Sequence, residues 1–287
     1  MNDLQKKILP LLETFIRICD QLELKYYLVC GSALGAVKYE GFIPWDDDID
    51  VALSREDYEI FCKKAPDMLP EPLFLQNYHT DPEFPAIYSK LRDSSTMCVE
   101  ESVASLHINH GICIDIFPLD GYPTKKMQQV LLELRKTVYA RLLSIPCIRP
   151  EKWKEALIKP LRSSGLGCST AKIAAAYTGC ISAWPIEKSD IIANHGNWQG
   201  KLEYHAKDIY GAGSVGKFEG LTVRLPADPD AYLRQKYSDY KQELPASKRE
   251  SHHRYLVVDT ERSYSGYVND LKENKTFENK HLGRKGK

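Results

Sequence analysis

Residues 45–51 read Trp45-Asp46-Asp47-Asp48-Ile49-Asp50-Val51, and Gly31-Ser32 stands upstream, after the apolar run Tyr26-Tyr27-Leu28-Val29-Cys30. Four carboxylates fall within five residues, and like charges that close repel one another. A hard cation such as Mg²⁺, or Mn²⁺ in its place, demands oxygen ligands and offsets that repulsion. Asp48 and Asp50 alternate with Ile49 and Val51. A strand here would present both carboxylates on one side and both apolar side chains to the core. A metal held that way suits transfer of a phosphate group. The plain alternative is a solvated acidic turn, but Phe42, Ile43, Ile49, Val51 and Leu53 bracket the run, and a solvated turn has no need of them. A calcium loop wants alternating ligands with a Gly and a closing Glu, and that pattern is absent.

The apolar positions Leu4, Ile8, Leu11, Leu12, Phe15, Ile16, Ile18 and Leu22 predict a helix over 3–23. Residues 26–30 predict a strand ended by Gly31, with Ser32 capping a short helix from Ala33 to about Lys38. Residues 48–53 predict the second strand, and Ser54 the cap of a helix to about Ala65. Residues 73–98 are β-rich, and the run Gly111–Phe117 predicts a buried strand with Asp115 in its middle. A lone carboxylate in such a strand is costly unless paired or bound to metal. It is either a hydrogen-bonded structural Asp or the third member of a shared metal site. Lys90 and Arg92 alternate on one strand and either grip phosphate oxygens or lie on a solvated edge. A helix is expected from Thr124 to about Leu143, further helices over 151–193, a strand or hairpin arm at 218–226 and a short helix from Asp228 to about Tyr237.

The chain has 287 residues, 39 basic and 39 acidic, so its formal charge is zero and gives no support for a general nucleic-acid binder. No run of about 18 apolar residues occurs, so no transmembrane helix is expected. The first residues read as the start of an amphipathic helix rather than a secretory leader. The cytosol is the expected compartment, and the eight scattered cysteines, without a Cys-x-x-Cys pair, are expected to be reduced thiols. Residues 124–162 carry ten basic and three acidic side chains. They form either a solvated helical face or one that docks peripherally on the inner face of an anionic membrane.

Gly31-Ser32, then Asp48-Ile49-Asp50, then an Asp on a later strand, resembles the arrangement of the nucleotidyltransferase superfamily. The intervening sequence is closer still to one family. Gly31-Ser32-Ala33-Leu34-Gly35, Gly41-Phe42-Ile43-Pro44-Trp45 with the acidic run, Arg55-Glu56-Asp57-Tyr58, Lys90-Leu91-Arg92-Asp93-Ser94 and Ile114-Asp115-Ile116-Phe117-Pro118-Leu119-Asp120-Gly121 closely resemble the LicD family. So do Phe218-Glu219-Gly220, Tyr232-Leu233, Tyr237-Ser238-Asp239-Tyr240 and His252-His253. The resemblance runs over roughly residues 10–260, and 146–215 carry little of it. Ser32 stands where Thr is more often expected.

The family includes bacterial enzymes that move phosphocholine from CDP-choline onto surface glycans, and fukutin and fukutin-related protein, which move ribitol phosphate. The resemblance implies an α+β fold: a nucleotidyltransferase-like mixed sheet flanked by helices. One catalytic domain over 1–272 would carry a helical insert at about 124–215 and a polar tail over 273–287. It implies a CDP-linked donor, a glycan or lipid-linked glycan acceptor, and CMP as leaving group. Asp48, Asp50 and Asp115 would hold Mg²⁺ or Mn²⁺, with Asp46 as base or supporting carboxylate. Gly31 and Ser32 would make room for phosphates, with Lys90 and Arg92 beside them. Asp47 is expected to face solvent and Trp45 to belong to the core. Tyr78, Tyr88, Tyr122 and Trp198 are candidates to contact the donor head group. His252 and His253 are either a surface pair or contacts to substrate. Two other readings share these carboxylates: a nucleotidyltransferase releasing pyrophosphate, and a binding module without catalysis. The second has no need to assemble such charge. The residues do not set the oligomeric state.

Overall fold

Ile8, Leu11, Leu12, Phe15 and Ile18 recur at helical spacing, and α1 (Asp3–Gln21) buries them all. Burying one such side chain contributes about 1.5–3 kcal/mol. Asn2 accepts the Gln5 N–H, and the Gln5 side chain in turn accepts the Asn2 N–H, which closes the first turn. The computed structural model describes residues 1–147, 169–197, 199–245, 247, 249–251 and 253–272.

After β1 (Tyr26–Leu28) come α2 (Cys30–Tyr39), β2 (Asp50–Ser54) and α3 (Arg55–Lys64). Then follow β3 (Leu73–Gln76), β4 (Ser89–Asp93), β5 (Met97–Glu100) and β6 (Ile112–Gly121). The main sheet has the order β1-β2-β6-β4-β3. Only β2 and β6 in that row run parallel; β1–β2, β6–β4 and β4–β3 are antiparallel. The fold is therefore α+β, a curled mixed sheet with helices against it. Register places Asp50 opposite Asp115 and Asp115 opposite Lys90. Three charged residues thus form one row across three adjacent strands. Ser54 caps α3 by accepting the Asp57 N–H. Arg55, the first residue of α3, makes a two-pronged pair with Asp120 at the end of β6, at 2.8 and 2.7 Å. That pair fixes α3 to the sheet.

Beyond β6 lie α4 (Lys126–Ser144) and α5 (Thr170–Ile181), then β7 (Ile191–Asn194), β8 (Tyr204–Ala206) and the single turn α6 (Lys207–Tyr210). The hairpin β9 (Ser214–Phe218)–β10 (Leu221–Leu225), α7 (Pro229–Tyr237), β11 (Tyr255–Asp259) and α8 (Ser265–Lys272) complete the chain. Strand β7 pairs with β6 and with β8, so the main sheet extends into the region expected to be a helical insert. The short run Ile191–Asn194 lacks the length for its period to separate strand from helix. The expected helices between 148 and 168, and the tail from 273, lie outside the described residues. The principal core is enclosed by α1, β1, β2, β6 and α7, and a second cluster, with Leu132, Leu143, Tyr177 and Ile181, lies between α4 and α5.

Two local expectations shift. Helix α2 begins at Cys30, ahead of Ser32, so Ser32 is not its cap. Its hydroxyl oxygen instead accepts the N–H of Asp50 at 2.8 Å, a contact far apart in sequence. Strand β2 begins at Asp50, so Asp46, Asp47 and Asp48 occupy the loop before it rather than the strand. The alternation of Asp48 and Asp50 on one strand face is thereby corrected. Glu219, at the hairpin turn, and Gln5, on α1, hold that loop from outside, and such long-range ties are invisible to periodicity.

Candidate active site

The loop is tied before its acids are placed. The Glu219 carboxylate accepts the Phe42 N–H at 3.1 Å and lies so close to Gly41 that any Cβ there would overlap it. The Glu219 N–H donates to the carbonyl of Glu40 at 2.8 Å. From the other side, the buried Gln5 amide donates to the carbonyl of Asp46 at 2.8 Å. On the opposite wall Cys30 adopts φ 55°, a left-handed conformation that costs a non-glycine residue about 1–3 kcal/mol. Its N–H is caught by the Tyr232 hydroxyl at 2.9 Å. Gly31 follows, and a Cβ on it would stand 2.6 Å from Asp46 Oδ2. A glycine is required there because a carboxylate lies directly over it.

Asp46, Asp48 and Asp50 form a strained set of charges. Burial, then the Asp48 charge, pushes the Asp46 carboxyl up to about 8. Burial raises Asp48 as well, with the His253 charge opposing. Asp50 is raised well above the carboxylate range by burial and then by Asp48 and Asp115, with Lys236 opposing. Asp47 is not turned to solvent as expected; its side chain is 12% exposed, its Oδ1 meets His253 Nδ1 at 2.8 Å, and it accepts the Ser251 hydroxyl. Hydrogen bonding to Asp47 raises the His253 imidazole to about 9, with burial opposing and Asp48 assisting. His252 lies outside the described residues.

Asp115 meets Lys90 Nζ at 2.8 Å, and the same ammonium meets Glu100 at 3.1 Å. Burial works against that ammonium, but Asp115, Cys113 and Glu100 outweigh it and hold it well above its usual range. Lys90 in turn holds Glu100 down at about 2. Arg92 is 1% exposed, so the solvated-edge alternative does not apply to it. Its Nε donates to Gln76 and its Nη1 to the carbonyl of Gly111, ties that brace the sheet rather than reach a ligand.

A cavity of about 450 Å³ opens over these groups, within the range of small-molecule sites. Gly31, Asp46, Asp48 and Asp50 line one wall. Tyr39, Trp45, Tyr237 and Tyr240 supply aromatic surface. Trp45 is therefore a cavity wall and not core, with the Arg249 guanidinium 5.3 Å from its ring centre. Tyr78, Tyr88 and Tyr122 are not among the residues lining this cavity, and Trp198 lies outside the described residues. A small adjoining void of about 20 Å³ is lined by Asp47, Asp48, Lys90, Glu100, Asp115 and His253. Asp48 thus faces both spaces, while Asp115 and Lys90 face the smaller one.

Sequence reasoning missed Lys236, which lines the cavity and is ion-paired in the interior with Glu203. The Tyr232 hydroxyl also donates to Glu203 at 3.3 Å, and Cys30 Sγ lies 3.5 Å from it. The signal was present in Tyr232-Leu233 and Tyr237-Ser238-Asp239, motifs that flank Lys236 without naming its role. An all-carboxylate donor set fits a hard cation, and the raised carboxyls are charges that a cation would relieve. Among the described residues, the trio whose ligand atoms all fall within 4.8 Å is Asp47, Asp48 and His253. Asp115 is drawn instead to Lys90.

The segment that carries these groups is similar to known proteins. The family model described as LicD/FKTN/FKRP, nucleotidyltransferase domain, matches residues 23–141. The chain is 24% identical over 262 residues to the lipopolysaccharide cholinephosphotransferase LicD of Haemophilus influenzae, covering 88% of this chain and 96% of that protein. Uncharacterized proteins of Rickettsia prowazekii and Rickettsia typhi are each 47% identical over 34 residues, 12% of this chain and 13% and 11% of theirs. The matched span holds Gly31, the whole acidic loop and Asp115, and over residues 23–141 the chain is similar to the LicD/FKTN/FKRP nucleotidyltransferase domain.

Proposed function

We propose that this protein is a metal-dependent phosphotransferase. It moves phosphocholine, or a related phospho-alcohol such as ribitol phosphate, from a CDP-linked donor to a hydroxyl of a cell-surface glycan precursor. The observation that carries the reading is the crowded set of carboxylates Asp46, Asp48 and Asp50 facing a cavity of ligand size. Similarity to a lipopolysaccharide cholinephosphotransferase over 88% of the chain supports the choice of group transferred.

Asp48, Asp50 and Asp115 would hold Mg²⁺ or Mn²⁺, which when bound supplies charge neutralisation at the donor diphosphate. Gly31 leaves room for the Asp46 carboxylate that lies over it, and the Ser32 hydroxyl oxygen accepts the Asp50 N–H and sets that residue behind it. Lys90 is the cation stationed beside Asp115; Arg92 has no part in contacting the donor. The acceptor oxygen attacks the distal phosphorus, the bond from that phosphorus to the bridging oxygen breaks, and CMP leaves. Asp46, raised to about 8, takes the hydroxyl proton, since a base titrating near the working pH is the effective one. The head group lies among Tyr39, Trp45, Tyr237 and Tyr240, whose ring faces suit a quaternary ammonium. The protein acts in the cytosol on a glycan presented at the inner face of the membrane.

The test is incubation of CDP-choline, CDP-ribitol and CDP-glycerol with Mg²⁺, with and without chelator. CMP release that requires the metal supports the reading. Pyrophosphate released from a nucleoside triphosphate, with nucleotide left on the acceptor, would replace it with nucleotidyl transfer.

A further inference from the structure

Helix α4 is apolar on two faces. One carries Leu132 and Leu143, packed with Tyr177 and Ile181 of α5. The other carries Met127, Leu131, Leu134, Val138 and Leu142, spaced four, three, four and four residues apart, which is one continuous stripe. All five are exposed; Met127 is 83% and Leu134 60% exposed. A stripe of large apolar side chains in water marks a surface that is covered in use.

Charge identifies the cover. Lys125, Lys126, Arg135 and Arg141 are exposed along the same helix. Its one acid, Glu133, is turned to Tyr122, Lys136 and Tyr204. The outward face is thus apolar and purely cationic. A second copy docked on it by two-fold symmetry would bring the same positive charges against one another. Residues 148–168, which lie outside the described residues, hold five basic and two acidic side chains, so their net charge has the same sign as the face. An anionic lipid surface satisfies both features at once, apolar side chains entering the acyl boundary and basic ones meeting the headgroups.

We propose that the exposed face of α4 is a docking surface for an anionic lipid bilayer. Each basic side chain near such a surface strengthens partition about fivefold at low salt. No helix among the described residues is long and apolar enough to cross a membrane, so the contact lies in the interface plane. The inference stands apart from the transfer reaction, because its assay reads binding alone.

Flotation of the whole protein with phosphatidylcholine vesicles, and with vesicles that also contain phosphatidylglycerol, tests it. The expected result is recovery with the anionic vesicles only, reversed by high salt. Arg135→Gln with Arg141→Gln should lower partition about twenty-fivefold. Leu131→Glu with Leu134→Glu should abolish it while the melting temperature stays unchanged. Equal recovery with both vesicle types, or with neither, overturns the proposal. A wild-type dimer that becomes monomeric in the Leu131→Glu, Leu134→Glu variant would assign the face to a second copy. A lowered melting temperature in that variant, without vesicle binding by the wild type, would assign it to another segment of the chain.

Discussion

Replacing Ser32 by alanine removes one oxygen and tests how the acidic loop is joined to the wall beneath it. Ser32 is 3% exposed, and its oxygen accepts the Asp50 N–H at 2.8 Å. In Ser32→Ala that N–H, on a residue only 9% exposed, loses its acceptor. An unsatisfied buried donor costs about 1–3 kcal/mol. For a domain of this size each kcal/mol lowers the melting temperature by about 2–4 °C, so the expected loss is about 2–12 °C. Displacement of Asp50 should also lower turnover by about ten- to a hundredfold, because small misplacements at a reacting centre are amplified. Thermal melts and CMP release read the two effects. Ser32→Thr keeps the acceptor and should retain turnover within a few-fold. A Ser32→Ala protein that melts and turns over like wild type would refute the tie.

Asp48→Asn, Asp50→Asn and Asp115→Asn should each abolish turnover. The first two should raise the melting temperature of the metal-free protein by relieving repulsion, whereas Asp115→Asn, which strips Lys90 of a partner, should not; calorimetry separates them. Asp120→Ala leaves Arg55 without its buried carboxylate and should cost about 3–5 kcal/mol in denaturant titration, far from any substrate. Above about pH 6.5 the metal-free protein should lose stability as pH rises. His253 and Asp46 both hold protons in the folded state above their ordinary ranges, so the His253 contribution is full below pH 6.5 and gone above about 9, and the Asp46 contribution declines up to about 8. His253→Gln should flatten the upper part of that slope in melts taken across the range.

The elements with strong local signals were legible before the structure. The stripe from Ile8 to Ile18, the Ser54 cap, the apolar run at 112–117 and the Asp228 cap of α7 each carry their own period or boundary chemistry. What was not legible depends on contacts between distant segments. Ser32 looks like a helix cap by its neighbours, yet serves Asp50, eighteen residues on. Arg92 reads as an exposed partner for phosphate, but β4 lies between β6 and β3, and its guanidinium is enclosed there. The motifs around Lys236 mark its neighbourhood but not its role, because its partner, Glu203, belongs to a stretch with weak resemblance. Asp120 and Glu219, conspicuous in the motifs, brace the fold and the loop rather than face a substrate.

The most direct measurement follows the distal phosphorus. CDP-choline labelled at the phosphate that bears choline is incubated with the protein, Mg²⁺ and an acceptor glycan, beside Asp48→Asn. The expected result is label on the glycan, still joined to choline, with unlabelled CMP released in equal amount and neither product formed by the variant. Label remaining with the nucleotide while choline alone moves, or equal transfer by Asp48→Asn, would contradict it.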